Sequence, residues 1–307
     1  MGYMIDLRRL RVLRAVAYYG TVTGAAEALH FTPSAASQQI RQLGRDLGVV
    51  LLEPQGRGVR LTPAAHNLLA HADEIESRWQ RAEAALRQQG DEPSGLLRIS
   101  GFPTVMSALI TPAAAKLRDR HPALDVRLRE ADPAECFDLL FGGETDLAVI
   151  EAFSDIPEAT DRRFDQQPLM DDPLDLVVPR GHRFARRRRI KLSEAASERW
   201  ITGWPGTPCR DEVMAACTAA GFTPTIAQEA QEWPAVATLV AYGFGIALVP
   251  RLAQLPPDLP IVQIPTIGRP APCRQLLTCT RRGGRDAAAI AAAVRELETV
   301  AESLAAA

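Results

Sequence analysis

The pair Thr32-Pro33 constrains this chain more tightly than any other local feature. A threonine hydroxyl caps a helix N-terminus, and proline in the first helical position gives up no hydrogen bond, so a helix starts here. Downstream, Ala36, Ile40, Leu43 and Leu47 recur at helical spacing and form one buried stripe. Ser34, Gln38, Arg41 and Arg45 then share the opposite face, flanked by Ser37 and Gln42. Short hydroxyls permit close approach to a groove, glutamine can pair bidentately with adenine, and arginine with guanine or a phosphate.

Two shorter helices precede this one. Leu7, Leu10, Leu13 and Val16 give the first its apolar side and Gly20 closes it. Ala25, Ala26, Ala28 and Leu29 form a second, capped by Thr21 or Thr23, and His30-Phe31 makes the turn. After Gly48, the run VVLLEPQGRGVRLT predicts two short strands around Gly56-Arg57-Gly58, a wing that carries Arg57 and Arg60 toward flanking backbone or minor groove. Residues 6–63 therefore read as a winged helix-turn-helix, although any small amphipathic three-helix bundle shares the periodicity. Charge points to a polyanion: residues 1–62 hold eight arginines against Asp6, Glu27, Asp46 and Glu53, a net +4 within a chain of net −2.

From Pro63 to about Gln89, Leu68, Ala72, Ile75, Trp79, Ala82 and Leu86 alternate spacings of four and three, the seam of a coiled coil. The expectation is a dimerising linker helix over 64–89; an amphipathic helix packed on its own domain would show the same pattern. Residues 90–95, Gly-Asp-Glu-Pro-Ser-Gly, form a hinge. At 307 residues the chain exceeds the size of one core, and its remaining two thirds alternate strand and helix, predicting a parallel sheet with helices on both faces in two α/β lobes. Lobe one spans about 96–167 and 269–307, lobe two about 168–264. A ligand would enter between them, where strand ends meet helix starts. Pro103, Thr104 and Ser107 offer one wall; Thr202, Gly203, Trp204 and Trp233 offer the other. The tryptophans fit an apolar or aromatic effector and fit a core equally well.

The segment TVTGAAEALHFTPSAASQQIRQLGRDLGVVLLEPQGRGVRLTPAA resembles the DNA-binding signature of the LysR-type transcriptional regulators, matched almost continuously from Ala25 to Ala64. The resemblance implies DNA contacts at Thr23, Thr32, Ser34, Ser37, Gln38, Arg41 and Arg57. It implies a two-lobed effector domain over 96–307 like that of periplasmic solute-binding proteins, with hinge crossings near 165–169 and 264–269. It also implies a homodimer through the linker, a homotetramer, double-stranded operator DNA and RNA polymerase as partners, and a small-molecule effector with no cofactor. Gly44, Pro54 and Ala65 depart from the family pattern, where Glu, Arg and Gly are usual, and Thr32-Pro33-Ser34 stands where Ser-Gln-Pro is common.

Two other readings remain open. Cys209 and Cys217 flank RDEVMAA at nearly the spacing of the reactive pair in peroxide-sensing LysR members, with one residue fewer between them. A solute-binding protein would explain the body but needs an export signal, and arginines interrupt every apolar run near the N-terminus. The uncharged stretch from Trp233 to Pro250 is broken by Pro234, Gly243 and Gly245, against a membrane span. Five cysteines without a CxxC motif point to a reducing cytoplasm. His66 and His71 are five apart, off the spacing that places two metal ligands on one helical face, and no catalytic motif occurs. The expectation is a regulator, with no enzyme activity and no metal. The basic run Arg183, Arg186–Arg189 and Lys191 reads as a solvated loop.

Overall fold

The protein is described by a computed structural model covering residues 6–56, 58–87, 92–153, 156–268 and 271–306. Its N-terminal module contains α1 (Leu7–Tyr19), α2 (Val22–Ala28), α3 (Pro33–Leu47) and an antiparallel wing, β1 (Leu52–Gln55) with β2 (Gly58–Leu61). Side-chain caps set all three helix starts: Asp6 accepts from the Arg8 N–H, Thr21 from that of Gly24, and Thr32 from that of Ala35 at 3.2 Å. Thr21 is thus the cap of α2, and Thr23 lies within that helix, exposed. Leu10, Leu13, Val16, Ala25, Ala26, Ala36, Ile40 and Leu43 are buried together, most of the stripes the periodicity predicts, whereas Leu7 is exposed and Ala28, Leu29 and Leu47 are half-buried.

The linker helix α4 spans Pro63–Arg87. Ala72 is buried, and Leu68 and Ile75 pack half-buried against the module's own core, whereas Trp79 and Ala82 are exposed. The first half of the expected seam is therefore engaged within the chain. The Leu86 side chain and residues 88–91 lie outside the described residues, as does Arg57.

The body begins with β3 (Gly95–Gly101). Next, α5 (Pro103–Val105) passes through a π turn at Met106–Ile110 into α6 (Thr111–Arg120). Pro112 has no N–H to continue a regular ladder, which accounts for a π turn at that point. Then come β4 (Leu124–Glu130), α7 (Pro133–Gly142), β5 (Leu147–Glu151) and the long β6 (Phe164–Pro179). Lobe two holds β7 (Ile190–Lys191), β8 (Arg199–Thr202), α8 (Pro208–Ala219), β9 (Thr225–Glu229), α9 (Trp233–Ala241), β10 (Ile246–Pro250), β11 (Ile261–Ile264) and β12 (Thr266–Ile267). The chain returns through β13 (Cys273–Arg281) and α10 (Ala288–Ala305) to lobe one.

Parallel pairing holds for β4-β3-β5 and for β10-β8-β9. The expectation of a wholly parallel sheet fails at the returning strands: β13 is antiparallel to both β5 and β6, and β10 and β11 are antiparallel to β6. Strand direction there is set by where the chain re-enters a lobe, which apolar periodicity does not encode. One strand, β6, joins the lobes. Its residues 164–173 pair with β13 and 174–179 with β10 and β11. The crossing expected at 165–169 thus lies inside the part paired with lobe one, and partners change between Pro173 and Leu174. At the second crossing, β12 still pairs with β7 of lobe two, and β13 starts at Cys273.

The winged module is docked on lobe one. Tyr18 of α1 stacks on Phe141 of α7 at 4.6 Å between ring centroids, and the Arg163 guanidinium lies 4.6 Å over the Tyr18 ring. Phe137, Phe141 and Phe164 join the module's core in one continuous apolar cluster.

Candidate functional site

The first site is the outer face of α3. Its buried stripe, Ala36, Ile40 and Leu43, turns Ser34, Gln38 and Arg41 to solvent, with Ser37 half-buried beside them and Thr32 exposed at the cap. Arg41 forms no salt bridge among the described residues. Arg45, by contrast, donates to Gln42, Gln42 donates to Asp46 at 2.7 Å, and Asp46 also pairs with Arg9. The helix thus splits into an N-terminal part with free polar groups and a C-terminal part tied into the module. Gly44 is buried, and a Cβ there would meet the Val49 carbonyl at 2.6 Å, so the departure from Glu answers a close backbone approach. On the wing, Pro54 pairs opposite Val59, and Arg60 is bonded to Glu53 at 2.8 Å.

The second site is the cleft between the lobes. Two expected wall residues meet there: the Trp233 indole Nε1 donates to the Thr104 hydroxyl at 3.2 Å, linking the start of α9 to the start of α5. Thr202 is buried at the end of β8 and donates to the Gly203 carbonyl. Gly203 is closely approached, since a Cβ would come 2.6 Å from the Thr207 hydroxyl oxygen. Pro103 is exposed in the first turn of α5, and Ser107 is exposed with its hydroxyl donating to the Pro103 carbonyl at 3.0 Å, already satisfied within its helix. Trp204 is 55% exposed. The tryptophan in the lobe-two core is Trp200, which is fully buried.

Beneath these walls lies a charged cluster that spacing does not reveal. Arg274 of β13 is buried and donates to Glu151 of β5 at 3.0 Å and to Asp172 of β6 at 3.0 Å, with Phe102 5.1 Å beneath its guanidinium. Asp172 also accepts the Leu252 N–H at 3.1 Å. Burial pushes the Asp172 carboxyl upward against the pull of Arg274. Glu212 of α8 faces this cluster from lobe two, and burial together with the Glu151 charge raises it far above the carboxylate range. The raised Glu212 carboxyl and Glu151 thus face each other across the lobe boundary. Cys209 lies beside the same carboxylates, its thiol pushed up to about 12 by burial and then by Glu212 and Glu151. Glu151 and Arg274 are lone charges beside apolar runs, a signal that could have found them, whereas Asp172 and Glu212 stand next to Asp171 and Asp211 and carry no such mark.

Cys217 is fully buried in the lobe-two core and burial likewise pushes it up to about 12. The two cysteines sit on one helix eight residues apart, roughly 12 Å along its axis at 1.5 Å per residue. Disulfide geometry needs Cα atoms within about 7 Å, so α8 would have to unwind for them to join. The basic run is solvated and partly paired, Arg183 with Glu198 and Arg187 with Glu194. Among the described residues no group of three His, Cys, Asp or Glu is placed to hold a metal ion. No described helix is long and apolar enough to cross a membrane.

A winged helix-turn-helix joined by one long helix to a two-lobed α/β body defines an effector-responsive DNA-binding regulator. Residues 7–66 match the model of the bacterial regulatory helix-turn-helix protein, lysR family, and residues 90–302 match the LysR substrate binding domain. The chain belongs to the LysR family of transcription regulators, and it is a regulator and not an enzyme. It is 30% identical over 249 residues to the hydrogen peroxide-inducible genes activator of Pectobacterium carotovorum subsp. carotovorum, covering 81% of each chain. Among solved structures, an OxyR mutant from Corynebacterium glutamicum matches with a TM-score of 0.62 at 21% identity, covering 100% of this chain and 95% of that one. HinK, a LysR family regulator from Pseudomonas aeruginosa, matches at 0.60 and 22% identity, over 96% of this chain and 99% of its own. These two likenesses speak for the fold.

Proposed function

We propose that the regulator reads DNA with Ser34, Ser37, Gln38 and Arg41 on α3, supported by Thr23 on α2, Thr32 at the cap and Arg57 on the wing. The exposed, unpaired polar face of α3 is the observation that carries this reading. An effector enters between Thr104 and Ser107 with Pro103 on one side and Thr202, Gly203, Trp204 and Trp233 on the other. By favouring one lobe arrangement it changes how the winged modules are presented. Chains pair through α4, where Trp79 and Ala82 remain exposed, and two pairs form a tetramer that meets RNA polymerase at promoters in the cytoplasm. Pairing would bring two modules to half-sites about one helical turn apart.

The peroxide-inducible activators among the relatives favour a second reading, in which Cys209 and Cys217 form a thiol switch. Burial, the raised thiols and the intervening length of α8 weigh against it, because reactive thiols are exposed and held low. A footprint of the full chain on its own promoter and flanking intergenic DNA, at two salt concentrations, tests the DNA reading. Two protected half-sites about one turn apart are expected. Protection no better than that of unrelated DNA would refute it.

A further inference from the structure

A cavity of about 950 Å³ opens where α1 and α4 face lobe one. It shares no wall with the interlobe cleft, and Trp79 of α4, on the face proposed for pairing, also lines this cavity. Eight arginines line it against four carboxylates, in a chain whose net charge is −2. Four of those arginines, Arg14, Arg98, Arg163 and Arg281, are held by Asp or Glu. The other four, Arg8, Arg11, Arg162 and Arg282, pair with no carboxylate among the described residues and are exposed. Arg11 also donates to the Gly142 carbonyl, and a cluster of guanidiniums without carboxylate partners in a partly enclosed volume concentrates the field on whatever anion enters.

Two further features converge on the same space. Residues 287–290 at the start of α10 line the cavity, and this 18-residue helix has no side-chain cap. Its first-turn N–H groups lack intrahelical acceptors and point their partial positive charge at the opening. In the wall behind them Arg281 is largely buried with its Nε unpartnered. Its terminal nitrogens donate to the Leu140 and Thr145 carbonyls and to Asp146, while burial pulls its pKa down. Guanidinium forks together with a helix N-terminus match phosphate oxygens better than a single carboxylate. The volume is that of a small-molecule pocket and is too small for a duplex.

We propose that this cavity is a second ligand site, which takes a small molecule bearing two or more phosphate groups. Arg8 and Arg11 come from the DNA-binding module, and Arg162 and Arg282 from lobe one. The ligand therefore bridges the two and holds the module against the lobe, next to the stacking of Tyr18 on Phe141. Any coupling to DNA is reciprocal: DNA that needs the module released weakens the ligand by the same factor.

The test is calorimetric titration of the full chain with inorganic pyrophosphate and, at matched ionic strength, with sulfate. Pyrophosphate should bind once per chain, and sulfate roughly tenfold or more weakly. The double variant Arg8→Ala/Arg282→Ala should lose pyrophosphate affinity by roughly tenfold or more. Ala289→Glu adds an acidic residue where a helix start favours one, so it should leave the fold intact while also blocking the anion. Arg186→Ala, in the solvated run of lobe two, is the control and should change nothing. Absence of saturable pyrophosphate binding overturns the proposal. So does affinity that survives both the double variant and Ala289→Glu, or that falls as far with Arg186→Ala. None of these outcomes bears on the interlobe cleft or on DNA recognition by α3.

Discussion

The face of α3 and the floor of the interlobe cleft solve opposite problems with the same residue types. On α3, Gln38 and Arg41 stand in solvent without partners among the described residues and keep their hydrogen-bonding capacity for another molecule. On the cleft floor Arg274 is 6% exposed and spends its guanidinium on Glu151 and Asp172. A charge in water costs the fold little and can be committed on binding. A charge in the interior must be paired at folding, and removing one partner strands the others. The difference separates the residues proposed to recognise DNA from residues that hold the fold in place.

The sharpest break of that comparison is Arg274→Ala. It leaves two buried carboxylates without their cation and should cost about 3–5 kcal/mol of stability, read as a lowered urea midpoint. A loss below about 1 kcal/mol would mean that water already screens the cluster. On the other side of the comparison, Gln38→Ala and Arg41→Ala should leave the urea midpoint unmoved. Each should lower discrimination between operator and random DNA by about 1–3 kcal/mol, measured by competition binding. If discrimination is unchanged, the readout lies elsewhere on the module.

The facing of Glu212 and Glu151 across the lobes makes a prediction about pH. Glu212 is raised in the folded chain, so the folded state holds its proton where the unfolded state has lost it. Its contribution is fully present below the ordinary carboxylate range and is lost as pH rises toward the raised value. Thermal midpoints should therefore fall between pH 5 and 8, and Glu212→Gln, which keeps a donor to Glu151, should flatten that slope. An equal slope in both proteins would remove Glu212 from the contact. The smallest effect expected is that of Thr32→Ala, about 1 kcal/mol from loss of the α3 cap, seen as a modest drop in the thermal midpoint.

The same contrast explains what was legible in the sequence. Helix α3 is specified locally: its cap, its first-turn proline and its stripe lie within sixteen residues, and the face left over is the one proposed to read DNA. The linker helix was equally plain, but not that Leu68, Ala72 and Ile75 would pack inside their own chain, since a heptad seam does not name its partner. In the cleft, the meeting of Thr104 with Trp233 comes from strand ends and helix starts. The cluster beneath joins positions 151, 172, 212 and 274 across two crossings of the chain. Only the fold brings those together, because β13 runs antiparallel between β5 and β6.

In the proposed function the lobe arrangement governs how the reading faces are presented. Trp233→Phe tests it directly, by removing the hydrogen bond to Thr104 while keeping an aromatic ring. Operator binding by this variant should be compared with the parent protein, on the two half-sites together and on one half-site alone. An altered affinity or altered preferred spacing for the paired sites is expected, with single half-site binding unchanged. Identical behaviour of both proteins on the paired sites would contradict it.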